Sequence, residues 1–275
     1  MKNREIIRDL NDQAFSSHAY QRSDSKLWEF CLKLSERIFP KRGELILGVS
    51  TIMRLLDDIA DGDREPPRGF TRTDYLQRKK DLITKHGNPE DEIDVYILHC
   101  TELARSLGFD IRDELNDFFT YFMFDVGRLG TGHVFPQAEL DRAFDACIRG
   151  TVNTLLKVFF QATQETGEAM SIIGKMAITH YTLRDFDIDI SKGFVNIPLE
   201  AIQQYKIDQK DQINREVFGV KAWFREQARF GLNLLEQHRE NVKMGSVPLL
   251  ARVVAPFMYV QSAQAYFEII LSDSK

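Results

Sequence analysis

The chain has little that would mark it as a secreted, redox-active or membrane-spanning protein. Its 275 residues include three isolated cysteines, Cys31, Cys100 and Cys147, which predict reduced, buried thiols and not disulfides, zinc ligands or a redox dithiol. No apolar run approaches the roughly 20 residues that a membrane-spanning helix needs. The first residues are charged and lack the apolar core of a secretion signal. We therefore expect a cytoplasmic protein.

A strong excess of charge of one sign is also missing. The formal net charge is −5, which gives no general attraction to nucleic acid, so we expect no nucleic-acid partner. No glycine-rich loop of the kind that binds a dinucleotide is present, so no NAD(P)H motif is visible. The sequence carries no signal for an oligomeric state.

Strand signals are lacking as well, because apolar residues repeat with helical spacing almost throughout. The pattern, interrupted by Gly and Pro, predicts helices over 26–39, 43–61, 72–86, 90–106, 110–128, 137–165, 168–190, 198–204, 210–242 and 247–272. No linker or internal repeat separates domains. We expect one all-α domain, a helical bundle over residues 1–275, with residues 1–25 as a loosely packed N-terminal arm.

Phenylalanine is abundant, with 20 residues in the chain. Several cluster over residues 118–124 and 159–160, which fits either a packed helical core or the aromatic lining of a cavity for a long hydrocarbon. Among single residues, His180 is interpreted as a core histidine. Tyr75 and the basic run 78–80 are interpreted as a solvated helix face.

Two aspartate-rich motifs are the most informative feature. In each, an arginine precedes aspartates that recur four residues apart, and these residues are Arg54, Asp57, Asp58 and Asp61, and Arg184, Asp185, Asp187 and Asp189. Residues i and i+4 point the same way on a helix, so each motif projects carboxylates from one face. If the two faces oppose each other, their carboxylates and arginines share one central cavity.

The apolar helices that lead into these motifs favour a metal site. Residues 45–53 and 176–183 are mostly apolar, which predicts buried helices, and buried carboxylates need partners. Mg²⁺ prefers carboxylate oxygens and bridges them to phosphate; Mn²⁺ is the alternative ion. The competing interpretations are a solvated acidic face for the first motif and a structural Arg–Asp network for the second, with Asp187 paired to Arg184.

The motifs resemble those of a known family. Residues 52–61 look like the first aspartate-rich motif of the squalene and phytoene synthases. Residues 183–198 resemble the second, which reads Leu-Arg-Asp, three residues, Asp, and then a short basic loop with Gly and a final Pro. Residues 34–40 and 146–152 are similar to two further family segments. The similarity covers residues 26–272 in matching order.

This resemblance implies an isoprenoid synthase fold and Mg²⁺-dependent head-to-head condensation of farnesyl or geranylgeranyl diphosphate to a squalene, phytoene or presqualene type of product. It implies metal ligands at Asp57, Asp58, Asp61, Asp185 and Asp189. It also implies diphosphate binding by Arg54, Arg184 and Lys192, and a catalytic role for Tyr181 beside the aspartates. Since such substrates and products are lipids, transient peripheral contact with a membrane is expected.

The second motif departs from the family pattern. Ile178 and Tyr181 stand where Gln and Asn are frequent, and Phe194 replaces an arginine after Gly193, which removes a charge near the diphosphate. Asn153 stands where a glycine is common. Two alternatives therefore stay open. One is a divergent terpene synthase or cyclase, or a prenyltransferase to a non-prenyl acceptor, with the same metal site. The other is a non-catalytic scaffold homologue.

Overall fold

The computed structural model describes residues 2–16, 23–85, 87–160, 163–208, 213–248, 251–252 and 260–272. The helices bounded within these ranges are α1 (Lys2–Ser16), α2 (Ser23–Ile38), α3 (Pro40–Ala60), α4 (Arg72–Lys85), α5 (Glu92–Ser106), α6 (Arg112–Arg128), α7 (Gln137–Phe159), α8 (Gln164–Arg184), α9 (Phe186–Ser191), α10 (Leu199–Gln204), α11 (Phe218–Met244) and α12 (Gln261–Ser272). In the part of the chain so described, β pairing is limited to an isolated bridge between Val134 and Val195. The all-α prediction is confirmed.

The chain divides into two compact units. Unit 1 comprises residues 1–127 and 149–161, and unit 2 comprises residues 128–148 and 162–275. Helix α7 therefore begins in unit 2 and ends in unit 1. The single domain over residues 1–275 stays a prediction.

Unit 1 is built around α3, whose apolar sequence is buried along most of its length. Gly48 allows close approach to α5, since a Cβ there would lie 2.5 Å from Sγ of Cys100. The core also contains Phe118, Phe119 and Phe122, each at most 2% exposed. For these three rings of the cluster, the interpretation as packed core is confirmed.

The expectation of a loosely packed N-terminal arm is wrong for residues 2–16, which form α1. Leu10 and Ala14 of this helix are buried in the core of unit 1. Oδ1 of Asn11 accepts hydrogen bonds from Oγ1 of Thr51, at 2.6 Å, and from Oη of Tyr96, at 2.8 Å. Its apolar and amide side chains thus tie α1 to α3 and α5. Residues 17–22 of the expected arm lie outside the described residues.

The basic run on α4 is not the solvated face that its composition indicated. The side chain of Lys79 is fully buried, and its Nζ donates hydrogen bonds to Asp91 and, at 2.5 Å, to Oδ1 of Asp94. Tyr75, also buried, donates from Oη to Oδ2 of Asp91 at 2.8 Å. Arg78 donates to Oδ2 of Asp94 at 3.0 Å. This network joins α4 to the N-terminal turn of α5, and it had no signal in the pattern of either helix.

Unit 2 is built around α8, α11 and α12. His180 of α8 is 4% exposed. The centroid of its ring lies 5.3 Å from the ring centroid of Tyr266 and 6.2 Å from that of Phe267. Its interpretation as a core histidine is confirmed. Gly231 of α11 lets α12 approach closely, since a Cβ there would meet the ring of Phe267 at 2.3 Å.

Several helix bounds differ from the sequence prediction. Helix α7 ends at Phe159, earlier than residue 165, and α11 begins at Phe218, later than residue 210. Parts of the predicted helices fall outside the described ranges, at residues 161–162, 209–212, 249–250 and 253–259. No helix in the described ranges combines the length and the apolar character that crossing a bilayer requires.

Candidate active site

The first aspartate motif forms the C-terminal end of α3 in unit 1. Asp57 and Asp61 are half-buried, and Asp58 is 6% exposed. The N–H of Asp61 donates to the carbonyl oxygen of Asp57 at 2.8 Å. The motif is therefore helical as far as Asp61, its last residue. The predicted alignment of Asp57 and Asp61 on one helix face follows from this geometry.

Arg54 is held by the carboxylates of its own motif. Its Nη2 lies 2.8 Å from Oδ1 of Asp58, and its Nη1 lies 3.6 Å from Oδ2 of Asp57. The tighter contact is with the buried Asp58, whose charge needs a partner there. Asp58 therefore compensates the arginine in this structure, while Asp57 and Asp61 are the more exposed carboxylates of the motif.

The second motif, in unit 2, is not on a continuous helix as the sequence predicted for residues 168–190. Helix α8 ends at Arg184, and α9 begins at Phe186. Asp185 lies between them with φ −92° and ψ 5°. Its N–H donates to the carbonyl oxygen of Tyr181 at 2.8 Å, and the N–H of Asp189 donates to the carbonyl oxygen of Asp185 at 2.9 Å. The spacing of Tyr181, Asp185 and Asp189 thus continues across the break.

Arg215 binds the backbone at the break between α8 and α9. Its Nη2 donates to the carbonyl oxygens of Leu183, at 3.0 Å, and Arg184, at 2.8 Å. Oη of Tyr266 donates to the same Leu183 oxygen at 3.1 Å. These donors satisfy carbonyl groups that the end of a helix leaves without helical partners. Nε of Arg215 also lies 2.7 Å from Oδ2 of Asp187; the expected Asp187–Arg184 pair is therefore wrong.

Arg184 instead binds its neighbour in the motif. Its Nε and Nη2 donate to the two carboxylate oxygens of Asp185, at 3.0 and 2.7 Å. Its guanidinium carbon lies 4.5 Å from the ring centroid of Tyr181, within the range of a cation–π interaction. Tyr181, Arg184 and Asp185 thus form one half-buried group, in which the phenol ring supports the arginine.

Asp189 is oriented by residues that sequence reasoning missed. Nδ2 of Asn196 donates to Oδ2 of Asp189 at 2.8 Å, and Oδ1 of Asn196 accepts from Nη1 of Arg128 at 2.6 Å. The guanidinium of Arg128, a residue 3% exposed, lies 4.9 Å from the ring centroid of Phe194. Phe194 stands where the family resemblance would place an arginine, and its ring has a cation from elsewhere in the chain against it. In the sequence, Asn196 was indicated only weakly, as part of the loop that resembles the family pattern, and nothing in the pattern indicated Arg128.

The loop after the second motif is built on glycines. Gly193 has φ +82°, and a Cβ there would lie 2.8 Å from the backbone of Gly130. The N–H of Gly130 donates to the carbonyl oxygen of Lys192 at 2.8 Å, and that of Gly132 donates to the carbonyl oxygen of Gly193 at 3.1 Å. The backbone of Lys192 is thereby fixed, and its side chain is half-exposed.

A cleft of about 260 Å³ in unit 2 borders this motif. Ile178 and Thr182 of α8 line it, and so does Asn196, the partner of Asp189. Its remaining lining comprises apolar and aromatic side chains, Leu140, Phe144, Ile148, Pro198, Trp223 and Phe230, and polar ones, Gln137, Asp141, Asp145, Lys175, Thr179 and Gln227. Ile178, one of the departures from the family pattern, thus contributes apolar surface to a cleft.

The donor set fits a metal ion that is shared with a ligand. Among the described residues, no group of three or more His, Cys, Asp or Glu side chains is arranged to hold a metal by itself. Mg²⁺ does not need such a cage, because it binds one or two carboxylates and completes its shell with water and phosphate oxygens. The pairs Asp57/Asp61 and Asp185/Asp189 supply carboxylates of that kind, and their role as ligands stays a prediction.

Comparison with known proteins gives a result at the level of the fold. No family model matches the sequence, and no curated protein is similar to it in sequence. Among solved structures, the chain is similar to the crystal structure of squalene synthase HpnC from Alicyclobacillus acidocaldarius, with a TM-score of 0.71 and 13% sequence identity. The similarity covers 99% of this chain and 95% of that chain. The squalene-synthase-like, all-α isoprenoid synthase fold predicted from the two motifs is confirmed.

Proposed function

We propose that the protein is a Mg²⁺-dependent prenyltransferase that ionises allylic prenyl diphosphates and condenses them head to head. Farnesyl or geranylgeranyl diphosphate is the proposed substrate. The observation that carries this proposal is the presence of two aspartate motifs, each with its arginine, on a chain whose fold matches that of a squalene synthase over 99% of its length. Fold alone does not specify chemistry, so the site residues carry the argument.

The aspartates would hold the metal. In unit 1 the ligands are Asp57 and Asp61, while Asp58 compensates Arg54. In unit 2 they are Asp185 and Asp189. A bound Mg²⁺ neutralises the charge of a diphosphate leaving group, and Mn²⁺ would serve the same purpose. Asn196 binds one oxygen of Asp189 and would fix the orientation of that carboxylate as a metal ligand.

The two arginines would bind diphosphate oxygens, for which the planar guanidinium fork is well suited. In the structure, Arg54 contacts Asp58 and Arg184 contacts Asp185. We expect Arg184 to exchange the carboxylate for phosphate oxygens when substrate binds, and the ring of Tyr181 to support its guanidinium meanwhile. Lys192 would add a further positive charge from the loop.

The cleft beside the second motif would receive hydrocarbon. Its apolar side chains, among them Phe144, Ile178 and Trp223, would contact the hydrocarbon chain, and polar side chains line the rest of the cleft. A prenyl carbocation reacts with another double bond only where water is kept away from it. The ring of Tyr181 lies beneath Arg184, and its phenol is proposed as a further polar group near the departing diphosphate.

Product analysis tests the proposal. Purified protein is incubated with each diphosphate and Mg²⁺, and the extract is analysed by mass spectrometry. We expect a product that contains two prenyl units, lost in Asp57→Asn and in Asp185→Asn. Asp63→Asn and Asp208→Asn are the controls, because they remove exposed carboxylates outside the two motifs and are expected to leave the product in place.

A second candidate keeps the metal site and uses one prenyl diphosphate, which is cyclised or passed to another acceptor. The observations that favour it are the apolar Ile178 in the cleft and the Tyr181 ring beneath Arg184. A product with a single prenyl unit would support this candidate over condensation. The absence of any diphosphate release, in the wild type with Mg²⁺, would contradict both and favour a scaffold role.

A further inference from the structure

The cleft in unit 2 contains a carboxylate that belongs to neither aspartate motif. The charged residues of its lining are Asp141, Asp145 and Lys175. Asp141 and Lys175 are exposed, whereas Asp145 is half-buried. Asp145 therefore brings a negative charge beside the apolar side chains of the cleft, and the proposed metal site does not use it.

The side chain of Asp145 has no protein partner among the described residues, since no hydrogen bond or ion pair joins it to any of them. Asp141, one turn earlier on α7, differs in this respect, because its Oδ1 accepts from Nε2 of Gln137 at 2.8 Å. An ionised carboxylate without a partner keeps its full capacity to accept a hydrogen bond or a proton. Asp145 can use that capacity for a molecule in the cleft.

Trp223 of α11 gives a second, independent indication that the cleft receives a ligand. It lines the cleft and is 2% exposed, and its Nε1 has no hydrogen-bond partner within the part of the chain that the structure describes. Buried donors in native proteins almost always have an acceptor, and a bound molecule can supply one. The face of an indole ring also attracts a nearby cation. The cleft therefore has two groups that suit a positively charged intermediate.

Asp145 is carried on a helix whose position beside the second motif is fixed by packing. Helix α7 approaches α8 so closely that a Cβ on Gly174 would lie 2.7 Å from Cγ2 of Ile148, which is three positions after Asp145 and on the same side of α7. Asn196, the partner of Asp189, lines the same cleft. The Asp145 carboxylate and the second motif thus border one space within unit 2.

The other polar groups of the lining are poorer proton acceptors. The ammonium group of Lys175 has no acceptor site, and the amide of Gln227 and the hydroxyl of Thr182 are neutral. Asp141 is exposed and already accepts a hydrogen bond. Asp145 is therefore the lining residue best suited to take a proton from a ligand.

We propose that Asp145 is the base that removes a proton from the carbocation and so ends the reaction in an alkene. This inference rests on the proposed function, in which loss of diphosphate generates the carbocation. A C–H bond on the carbon next to the cationic centre breaks, and its electron pair forms the new C=C bond. The proton moves to a carboxylate oxygen of Asp145 and later to water. The step neutralises both charges and needs neither an oxidant nor a reductant.

Product analysis of Asp145→Asn tests the inference. The amide keeps the shape of the side chain but loses its basicity, so the carbocation is left to react with water. General base catalysis contributes roughly 10²–10⁴-fold, and we expect the ratio of alkene to alcohol in the extract to fall about 100-fold. Diphosphate release from the same samples measures the earlier ionisation and should survive the substitution. Asp145→Glu, which retains a carboxylate, should restore the alkene.

Glu139→Gln is the matched control, because it removes an exposed carboxylate of α7 that does not line the cleft. It should give the wild-type ratio, and circular dichroism melts verify that every variant is folded. An unchanged ratio in Asp145→Asn, or a wild-type product that is an alcohol and not an alkene, would overturn the inference while diphosphate release still supports the proposed function. A wild type that releases no diphosphate would overturn both.

Discussion

The side-chain amide of Asn196 donates a hydrogen bond to Oδ2 of Asp189 over 2.8 Å. The loop that follows the second aspartate motif thereby holds one oxygen of the motif's last carboxylate. The other end of the amide accepts from the buried Arg128 at 2.6 Å, so both the position and the flip of the Asn196 side chain are determined. An oriented carboxylate is the arrangement that a metal ligand requires.

Replacement of Asn196 by Ala should therefore lower the affinity for Mg²⁺ more than it lowers the stability of the protein. Loss of a residue that orients a ligand costs roughly 10- to 100-fold in metal affinity, and the Mg²⁺ concentration for half-maximal diphosphate release is expected to rise accordingly. Asn233→Ala, at an exposed position of α11, is the control. An unchanged Mg²⁺ dependence of diphosphate release in Asn196→Ala would contradict the role of Asp189 as a metal ligand oriented by Asn196.

Gly193→Ala should disturb the loop that carries Lys192. The positive φ of +82° and the 2.8 Å approach to the Gly130 backbone leave no room for a methyl group, and a strained backbone of this kind costs about 1–3 kcal/mol. Gly127→Ala is the matched control, since its added Cβ meets no atom within 4 Å in helix α6, and it should stabilise by about 0.4–1 kcal/mol. Urea unfolding of both variants measures the difference; equal effects would contradict the glycine argument.

Local pattern was sufficient to predict most of the fold and the first motif. The apolar residues of α3 and the spacing of Asp57 and Asp61 are properties of one helix, so they follow from the sequence near those residues. The break at Asp185 does not, because the carbonyl groups there are bound by Arg215, which lies 32 residues beyond Leu183. The contact between Arg128 and Asn196 spans 68 residues. Such pairings depend on how helices pack, which no local pattern encodes.

Composition was misleading for the basic run of α4, where Lys79 has Asp91 and Asp94 as partners across the helix pair. Lys79→Met should destabilise the protein by about 1–3 kcal/mol, because the carboxylates of Asp91 and Asp94 each lose a hydrogen bond from a buried cation, while Arg78 still binds Asp94. Lys80→Met, at the half-exposed neighbouring position, is expected to have little effect. Urea unfolding distinguishes the two, and similar losses of stability would contradict a specific role for the buried pair.

The same cluster predicts a pH dependence. Burial by itself would raise the pKa of Asp91, but hydrogen bonds from Nζ of Lys79 and from the N–H of Asp94 hold that pKa below its ordinary value. A carboxyl whose pKa is lower in the folded state stabilises the fold above its unfolded pKa, about 3.9. That contribution is lost as pH falls through the folded pKa.

Thermal melts across the acidic range measure this effect. The wild type should lose stability as the pH falls below about 4, and Lys79→Met should show a smaller change over the same range, since Asp91 then titrates closer to its ordinary pKa. Lys80→Met should follow the wild type. Parallel curves for wild type and Lys79→Met would show that other carboxyl groups dominate acid unfolding.

The most direct test of the central claim is the rate of diphosphate release from farnesyl or geranylgeranyl diphosphate, measured against Mg²⁺ concentration. We predict release that requires Mg²⁺ and that falls by at least two orders of magnitude, or about 2.7 kcal/mol of transition-state stabilisation, in Asp57→Asn and Asp185→Asn. Release should persist in Asp63→Asn and Asp208→Asn. Release that is independent of Mg²⁺, or that survives loss of both Asp57 and Asp185, would contradict the assignment of the two aspartate motifs as metal-binding motifs.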